Sequence, residues 1–117
     1  MGEPATAAPK TLWEADRTHP DQAAALRRAL GEVQDPELGL SIIQLGLVRE
    51  VTITEAGAAV RMVLTTPFCP YGPAMMEHAR QKAEKELGMP VTMELGAEAW
   101  DPSMMEEDAR SEWGFLY

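Results

Sequence analysis

Residues 47–66 read LVREVTITEAGAAVRMVLTT. Two runs in this stretch alternate apolar with polar side chains, the period-2 signature of a half-buried strand. The first covers about 47–54, with Val51 and Ile53 inward. The second covers 58–66, with Val60, Met62 and Leu64 on one face and Arg61 on the other. Between them, Glu55-Ala56-Gly57 forms a short turn whose glycine can take a positive φ. The stretch predicts an antiparallel hairpin.

The flanking segments change period. Upstream, Ala23, Leu26, Leu30 and Val33 recur at helical spacing and leave Arg27, Arg28 and Glu32 off the stripe, so a helix is expected over about 20–33. Pro20 suits its first turn, with Thr18 or His19 before it as cap. Pro36 and Gly39 in QDPELG (34–39) end it. Ser41 can then cap a single turn leading to Gly46. Downstream, PAMMEHARQKAEKELG (73–88) predicts a second helix with Met76, Ala79, Ala83 and Leu87 as its stripe. PVTMEL (90–95) predicts a third strand with Val91, Met93 and Leu95 inward. Ser103 followed by Glu106 has capping-box spacing, so a short C-terminal helix is expected to open there. The order α-β-β-α-β-(α) implies an α+β two-layer sandwich, with helices on one face of a small sheet. Residues 1–18, rich in Ala, Pro and Thr, predict a mobile tail, and 19–117 a single domain. Trp13 beside Leu12 is the residue of the tail able to dock on the domain or on a second copy.

Length and charge narrow the function classes. A chain of 117 residues holds one modest core. A net charge of -9 repels phosphate backbones and anionic membranes, which argues against nucleic acid as a partner. One cysteine allows no internal disulfide, and neither an export leader nor a membrane span is visible, so a cytoplasmic location is expected. There is no phosphate loop, nucleophile elbow or HExxH, and the chain is not read as an enzyme.

The one stretch with unusual chemistry is TTPFCPYGP (65–73), which holds the single cysteine, Cys69, among Pro67, Pro70 and Pro73. Each proline fixes a φ angle, so the loop loses little entropy when held in one shape. Cys69 precedes the second helix by three to four residues, where unpaired N–H groups stabilise a thiolate and raise its reactivity. A presented thiolate serves as a metal ligand or a nucleophile; a small buried hydrophobe is the equally weighted structural reading. Without a CxxC pair, one chain cannot complete a zinc or cluster site. The available helpers are few. His78 lies in the second helix, where a surface role is commoner than ligation. Asp35 and Glu37 flank Pro36, and Asp35 fits an Asx turn equally well. The pairs Met75-Met76 and Met104-Met105 could meet a soft metal, but fit core packing better. WDP (100–102) reads as an anchored turn, and WGFLY (113–117) as an aromatic run that covers the core, swaps to a neighbour or offers a partner surface.

Taken in order, DPE (35–37), SIIQLGLV (41–48), LTTPFCP (64–70) and WDP (100–102) resemble the MIP18/SufT/PaaD-like family of iron–sulfur assembly factors. The resemblance spans about 22–113. It implies a fold shared with the C-terminal domain of NifU-type scaffolds, helices against a small mixed sheet, and a carrier, adaptor or targeting role in iron–sulfur protein maturation. It makes Cys69 the reactive position and a transient ligand of iron or a [2Fe–2S] cluster, places Asp35 and Glu37 near it, and gives Thr66 and Pro67 a part in shaping its loop. Homodimerisation follows from ligand counting, and the resemblance implies assembly and client proteins as the other partners. The extra cysteine-rich segment of PaaD-type members and the CxxC of NifU-type domains are absent, so the chain resembles the short, SufT-like members. The alternative is an interaction adaptor that binds no metal, with Cys69 structural or redox-sensing.

Overall fold

The computed structural model describes residues 11–66 and 70–106. Its elements are α1 (Glu14–Thr18), α2 (Pro20–Leu30), β1 (Val48–Ile53), β2 (Ala58–Met62), α3 (Gly72–Leu87), β3 (Val91–Leu95) and a final 3-10 turn, Pro102–Met104. The three strands form one sheet in the order β1-β2-β3. β1 and β2 pair antiparallel as the expected hairpin. β2 and β3 pair parallel through α3, which makes the sheet mixed. A parallel neighbour cannot be reached by a tight turn, so the helix between these strands is also their crossover.

Register places the core. The rows Val51–Val60–Met93 and Ile53–Ala58–Val91 lie on one face with Val48–Met62–Leu95. The other face carries Thr52–Ala59–Thr92 and the charged row Glu50–Arg61–Glu94. Helices cover the first face, where Leu26, Leu30, Val51, Val60, Met62 and Ala79 are fully buried. The α2 stripe is as expected, although the helix ends at Leu30 and Val33 reaches the core from the following turn. In α3 the buried line is Gly72, Met75, Ala79 and Ala83, with Met76 half-buried beside it. Ala79 and Ala83 are buried as expected and Met76 and Leu87 pack at the edge of the core; Met75 and Gly72 join the stripe because the helix begins at Gly72, whose missing side chain lets it close on Leu64. A Cβ there would stand 2.7 Å from Leu64 Cδ1. Leu95 departs from the expected inward alternation and is 62% exposed, because it ends an edge strand beyond the reach of the helices. The strands are also shorter than expected, and Leu64 lies half-buried in the loop after β2.

The expected tail is corrected for residues 11–18. Trp13 is only 3% exposed, and its Nε1–H donates to Val48 O at 3.2 Å. Its backbone N–H donates to the Asp16 carboxylate at 2.6 Å, which also pairs with Arg27 at 2.6 Å. The Arg27 guanidinium stacks over the indole, 3.7 Å from the ring centre. A buried indole with its N–H satisfied supplies more apolar burial than a five-residue helix could by propensity. Residues 1–10 lie outside the described residues.

The segment 41–46 is a capped turn of the expected kind. Ser41 and Gln44 exchange hydrogen bonds, Gln44 N–H to Ser41 Oγ at 3.0 Å and Ser41 N–H to Gln44 Oε1 at 2.9 Å. Gly46 closes it at φ 73°, and a Cβ there would fall 2.0 Å from Met104 O. The chain's last described segment thus lies directly against this glycine, with Glu106 N–H donating to Gln44 O at 2.9 Å. The expected Ser103 cap is corrected. Asp101 caps the turn, accepting from Ser103 N–H at 2.7 Å, and the Ser103 hydroxyl donates to the same carboxylate oxygen. Pro102 inside the first turn leaves Asp101 as the residue placed to cap it. Any continuation of the helix past Glu106 lies outside the described residues.

Two substitutions test this architecture by urea denaturation. Trp13→Ala is expected to cost about 3–5 kcal/mol, the range for removing a large buried aromatic; a surface tail would lose almost nothing. Gly46→Ala is expected to cost at least about 2 kcal/mol, since it combines a strained backbone with a collision against the 102–106 segment.

Candidate functional site

The carboxyl ends of the parallel pair β2–β3 point the same way, and the chain leaves both toward one end of the sheet. From β2 it continues as Val63–Thr66 into the cysteine loop; from β3 it continues as Gly96–Trp100. Such strand ends are where α/β sheets place their ligands, because the loops there are free to vary while the strands fix their roots.

Asp35 is the residue that ties this end together. It is fully buried, one of two buried polar side chains among the described residues, with Ser41. Its Oδ1 accepts from Glu37 N–H at 2.8 Å and from Leu38 N–H at 3.3 Å, forming the Asx turn that reverses the chain after α2. Its backbone completes the turn, accepting from Gly39 N–H at 2.8 Å and donating to Leu40 O at 2.9 Å. Its second oxygen accepts from the Thr65 hydroxyl at 3.3 Å. With no cation beside it among the described residues, a buried carboxyl group is tolerable only when its lone pairs are occupied in this way. The Asp35 turn is thereby joined to the root of the cysteine loop, four residues before Cys69.

The residues singled out in the sequence divide as follows. Asp35 sits at the junction with Thr65. Glu37 contributes its N–H to the turn, while the residue itself is exposed, so the two carboxyl groups occupy opposite environments. Thr66 is half-buried beside Thr65. Pro67 and Cys69 lie outside the described residues. On the far side of the loop, Gly72 opens α3 in contact with Leu64, so the loop is anchored at Thr65 on one side and at Gly72 on the other. His78 is exposed on α3 and makes no hydrogen bond to Asp35 or Thr65 among the described residues. Among the described residues, no three His, Cys, Asp or Glu side chains gather as a metal site. Thr65 and Gly72 were not singled out in the sequence. A threonine in a proline-rich loop carries no local sign of a partner 30 positions away, and a glycine beside prolines carries no sign of the leucine it will close on.

A cleft of about 380 Å³ flanks the same strand ends. Val63, Leu64, Leu95 and Trp100 supply its apolar wall, and Thr65 and Glu98 lie on its border. Trp100 is fixed by its Nε1–H, which donates to Leu45 O at 2.7 Å, so the expected anchored turn is present. Arg61 pairs with Glu98 from the charged face of the sheet, and this hydrogen bond holds the Glu98 carboxyl below the usual carboxylate range.

Replacing Asp35 by Ala leaves two backbone N–H groups without their acceptor and is expected to cost about 1–3 kcal/mol in urea denaturation. Thr65→Val removes only the bridge to the loop and is expected to cost no more than about 1 kcal/mol, while raising the rate of proteolytic cleavage between residues 65 and 72. Equal cleavage of the two proteins would mean that the bridge does not order the loop.

Comparison with known proteins assigns this arrangement to a family. The model of the iron–sulfur cluster assembly protein family matches residues 23–99. A protein of Porphyromonas gingivalis described as an Fe-S protein maturation auxiliary factor is 38% identical over 92 residues, covering 76% of this chain and 88% of that protein. An iron-sulfur cluster carrier protein of Synechocystis is 40% identical over 63 residues, 54% of this chain but 18% of that longer protein. Among solved structures, a domain of unknown function from Bacillus anthracis shares the fold, with a TM-score of 0.75 and 24% identity over 84% of this chain and 96% of that one. A conserved hypothetical protein from Thermotoga maritima gives a TM-score of 0.66 and 30% identity over 92% of this chain and 99% of that one. The match from Ala23 to Ala99 takes in the Asp35 turn, the hairpin, the cysteine loop and β3, and the chain belongs to the iron–sulfur cluster assembly protein family.

Proposed function

We propose that this protein is an iron–sulfur protein maturation factor, a carrier or adaptor that helps deliver clusters to client proteins, with Cys69 as the transient ligand of the cargo. The observation that carries this reading is the family match over residues 23–99, together with a relative of nearly the same length described as a maturation auxiliary factor. Physical support comes from the anchoring of the loop that holds Cys69. Asp35 binds Thr65 on one side, and Gly72 packs on Leu64 on the other. A thiol in this position lies three residues before the first residue of α3, a 16-residue helix whose first N–H groups lack partners. That field favours the thiolate, the form that binds iron.

The chemistry asked of the protein is ligation and release, not bond-making in a substrate, so no catalytic residue is assigned. One thiolate per chain leaves a [2Fe–2S] cargo short of ligands. A second copy supplies another, and a small thiol or the recipient protein supplies the rest. Asp35 and Thr66 position the loop in this reading, Pro67 stiffens it, and Glu37 and His78 are the remaining groups near the sequence ends of the turn and loop. Among the described residues, no helix is long and apolar enough to cross a membrane; the cytoplasmic location in this proposal rests on the family's role in iron–sulfur cluster assembly.

Anaerobic reconstitution with iron and sulfide, read by visible absorbance and native mass, tests the proposal. The wild-type protein is expected to retain iron or a cluster, with a mass corresponding to two chains. Cys69→Ser is expected to lose that retention while keeping its far-ultraviolet circular dichroism. Equal retention by the variant would remove Cys69 from the role. The protein would then act as an adaptor that binds clients without holding their cargo, the reading that the apolar cleft beside the loop favours.

A further inference from the structure

The two edges of the sheet are finished differently. At β1 the register shifts between Val48 and Glu50, and α1 is bonded to the strand: Trp13 donates to Val48 O and Glu14 N–H to the Glu50 carboxylate. Irregular pairing and a covering helix are both ways of protecting an edge. At β3 the parity of the ladder decides which groups are left over. Ala58 N–H donates to Pro90 O and Gly96 N–H to Met62 O, so the even-numbered residues of 90–96 bond to β2. The residues between them, Val91, Met93 and Leu95, turn their N–H and C=O groups the other way. Val91 N–H is taken by the Glu84 carboxylate at 3.1 Å. The N–H and C=O groups of Met93 and Leu95 have no partner among the described residues.

We propose that the free edge of β3 receives an extended segment of a partner protein, one in which apolar side chains alternate with Lys or Arg. Three observations select this occupant. The first is that Leu95 belongs both to the edge and to the cleft wall, and is 62% exposed. A strand added beside β3 sets a side chain next to Leu95 on the same face of the sheet. That side chain stands at the mouth of a cleft of about 380 Å³ walled by Val63, Leu64 and Trp100, with room for a large apolar group. The second is the charge on the other face. Arg61 is flanked in the sheet by Glu50 and Glu94 and is bonded to Glu98, so one guanidinium serves three carboxylates. Glu94 is the outermost of the row, is exposed, and has no ion pair of its own among the described residues. The position of an added strand that faces Glu94 is therefore suited to a cation, and it alternates with the position that faces Leu95. The third is the net charge of -9, which repels a second copy and attracts a basic segment.

Main-chain hydrogen bonds to Met93 and Leu95 supply the affinity in this mode of recognition, and the cleft and Glu94 supply the choice of partner. Thr65, at the root of the loop that holds Cys69, borders the same cleft. A docked segment is thus brought beside that loop. That the partner is a client or donor of iron–sulfur cargo rests on the function proposed above; the docking itself does not.

The test titrates the full chain, without iron, with the synthetic peptide KVKFKV and with its charge-reversed counterpart EVEFEV, and follows amide exchange residue by residue by nuclear magnetic resonance. Omitting iron makes the outcome independent of Cys69. KVKFKV is expected to bind saturably and to slow exchange at Met93 and Leu95, while Thr92 and Glu94, already bonded to β2, stay unchanged. EVEFEV is expected not to bind. Leu95→Pro removes one outward N–H and keeps every bond to β2, so it should retain the far-ultraviolet circular dichroism of the wild type and bind KVKFKV about tenfold more weakly. Glu94→Gln is expected to weaken KVKFKV several-fold and to flatten the salt dependence of its binding. The proposal is overturned by absence of KVKFKV binding, by equal binding of the two peptides, by binding that leaves the Met93 and Leu95 amides unchanged, or by full binding to Leu95→Pro. It is equally overturned if those amides are already protected without peptide. Protection at every protein concentration would mean that the chain covers its own edge, and protection only at high concentration with a doubled mass would assign the edge to a second copy.

Discussion

A carboxyl group buried completely between a helix end and a strand end is the constraint on which this structure turns. Among the described residues, Asp35 pairs with no cation and is held by two backbone N–H groups of its own turn and the hydroxyl of Thr65. The two sides of that arrangement are far apart in sequence and belong to different supersecondary units. The turn follows α2 and leads toward the hairpin; the threonine follows the hairpin and leads into the crossover. Satisfying one buried group therefore fixes the relative position of both, and the loop carrying Cys69 starts from the fixed point. Each of these bonds is individually modest, but an unmet buried acceptor is costly, so the alternatives in which the loop swings away are disfavoured by more than the bond itself.

Around this junction the molecule is arranged so that small residues permit close approach and large ones fix its edges. Gly72 lets the helix begin against Leu64, and Gly46 lets the last described segment lie on the capped turn. Trp13 and Trp100 are each held through an indole N–H given to a backbone carbonyl, of Val48 and Leu45 respectively. These carbonyls belong to the short stretch 45–48, which is consequently braced by both indoles. The hairpin that grows from it carries the rest of the sheet.

Much of this was legible from periodicity. The alternation in 48–62 gave the hairpin, the spacing of Ala23, Leu26 and Leu30 gave α2, and Ser41 with Gly46 gave the capped turn. What was missed has physical reasons. Helix α1 is too short to show a period, and its stability comes from an indole buried under Val48 and Arg27, contacts that no local window contains. That Met75 lies deeper than Met76 at the start of the α3 stripe follows from the glycine start against Leu64. Leu95 alternates correctly with Val91 and Met93, yet is exposed because alternation records the face of a sheet and not how far along it the helices extend. Asp35 and Cys69 were singled out from their turn and loop chemistry. That the first would reach the strand leading to the second, through Thr65, was a matter of tertiary pairing and was invisible until the fold was known.

The parallel pairing of β2 with β3 has a bearing on how the molecule forms. The hairpin pairs Ala58 with Ile53, five positions apart, whereas the parallel ladder pairs Ala58 with Val91, across the whole of α3. Local closure is fast and the longer closure carries the larger entropic penalty, so β3 is the strand expected to join late on the folding pathway. The cysteine loop lies inside that longer closure. A nascent or partly folded chain consequently has its hairpin before Thr65 and Gly72, the two described ends of the cysteine loop, are brought to their final places, and the loop's frame is completed only with the last step of assembly.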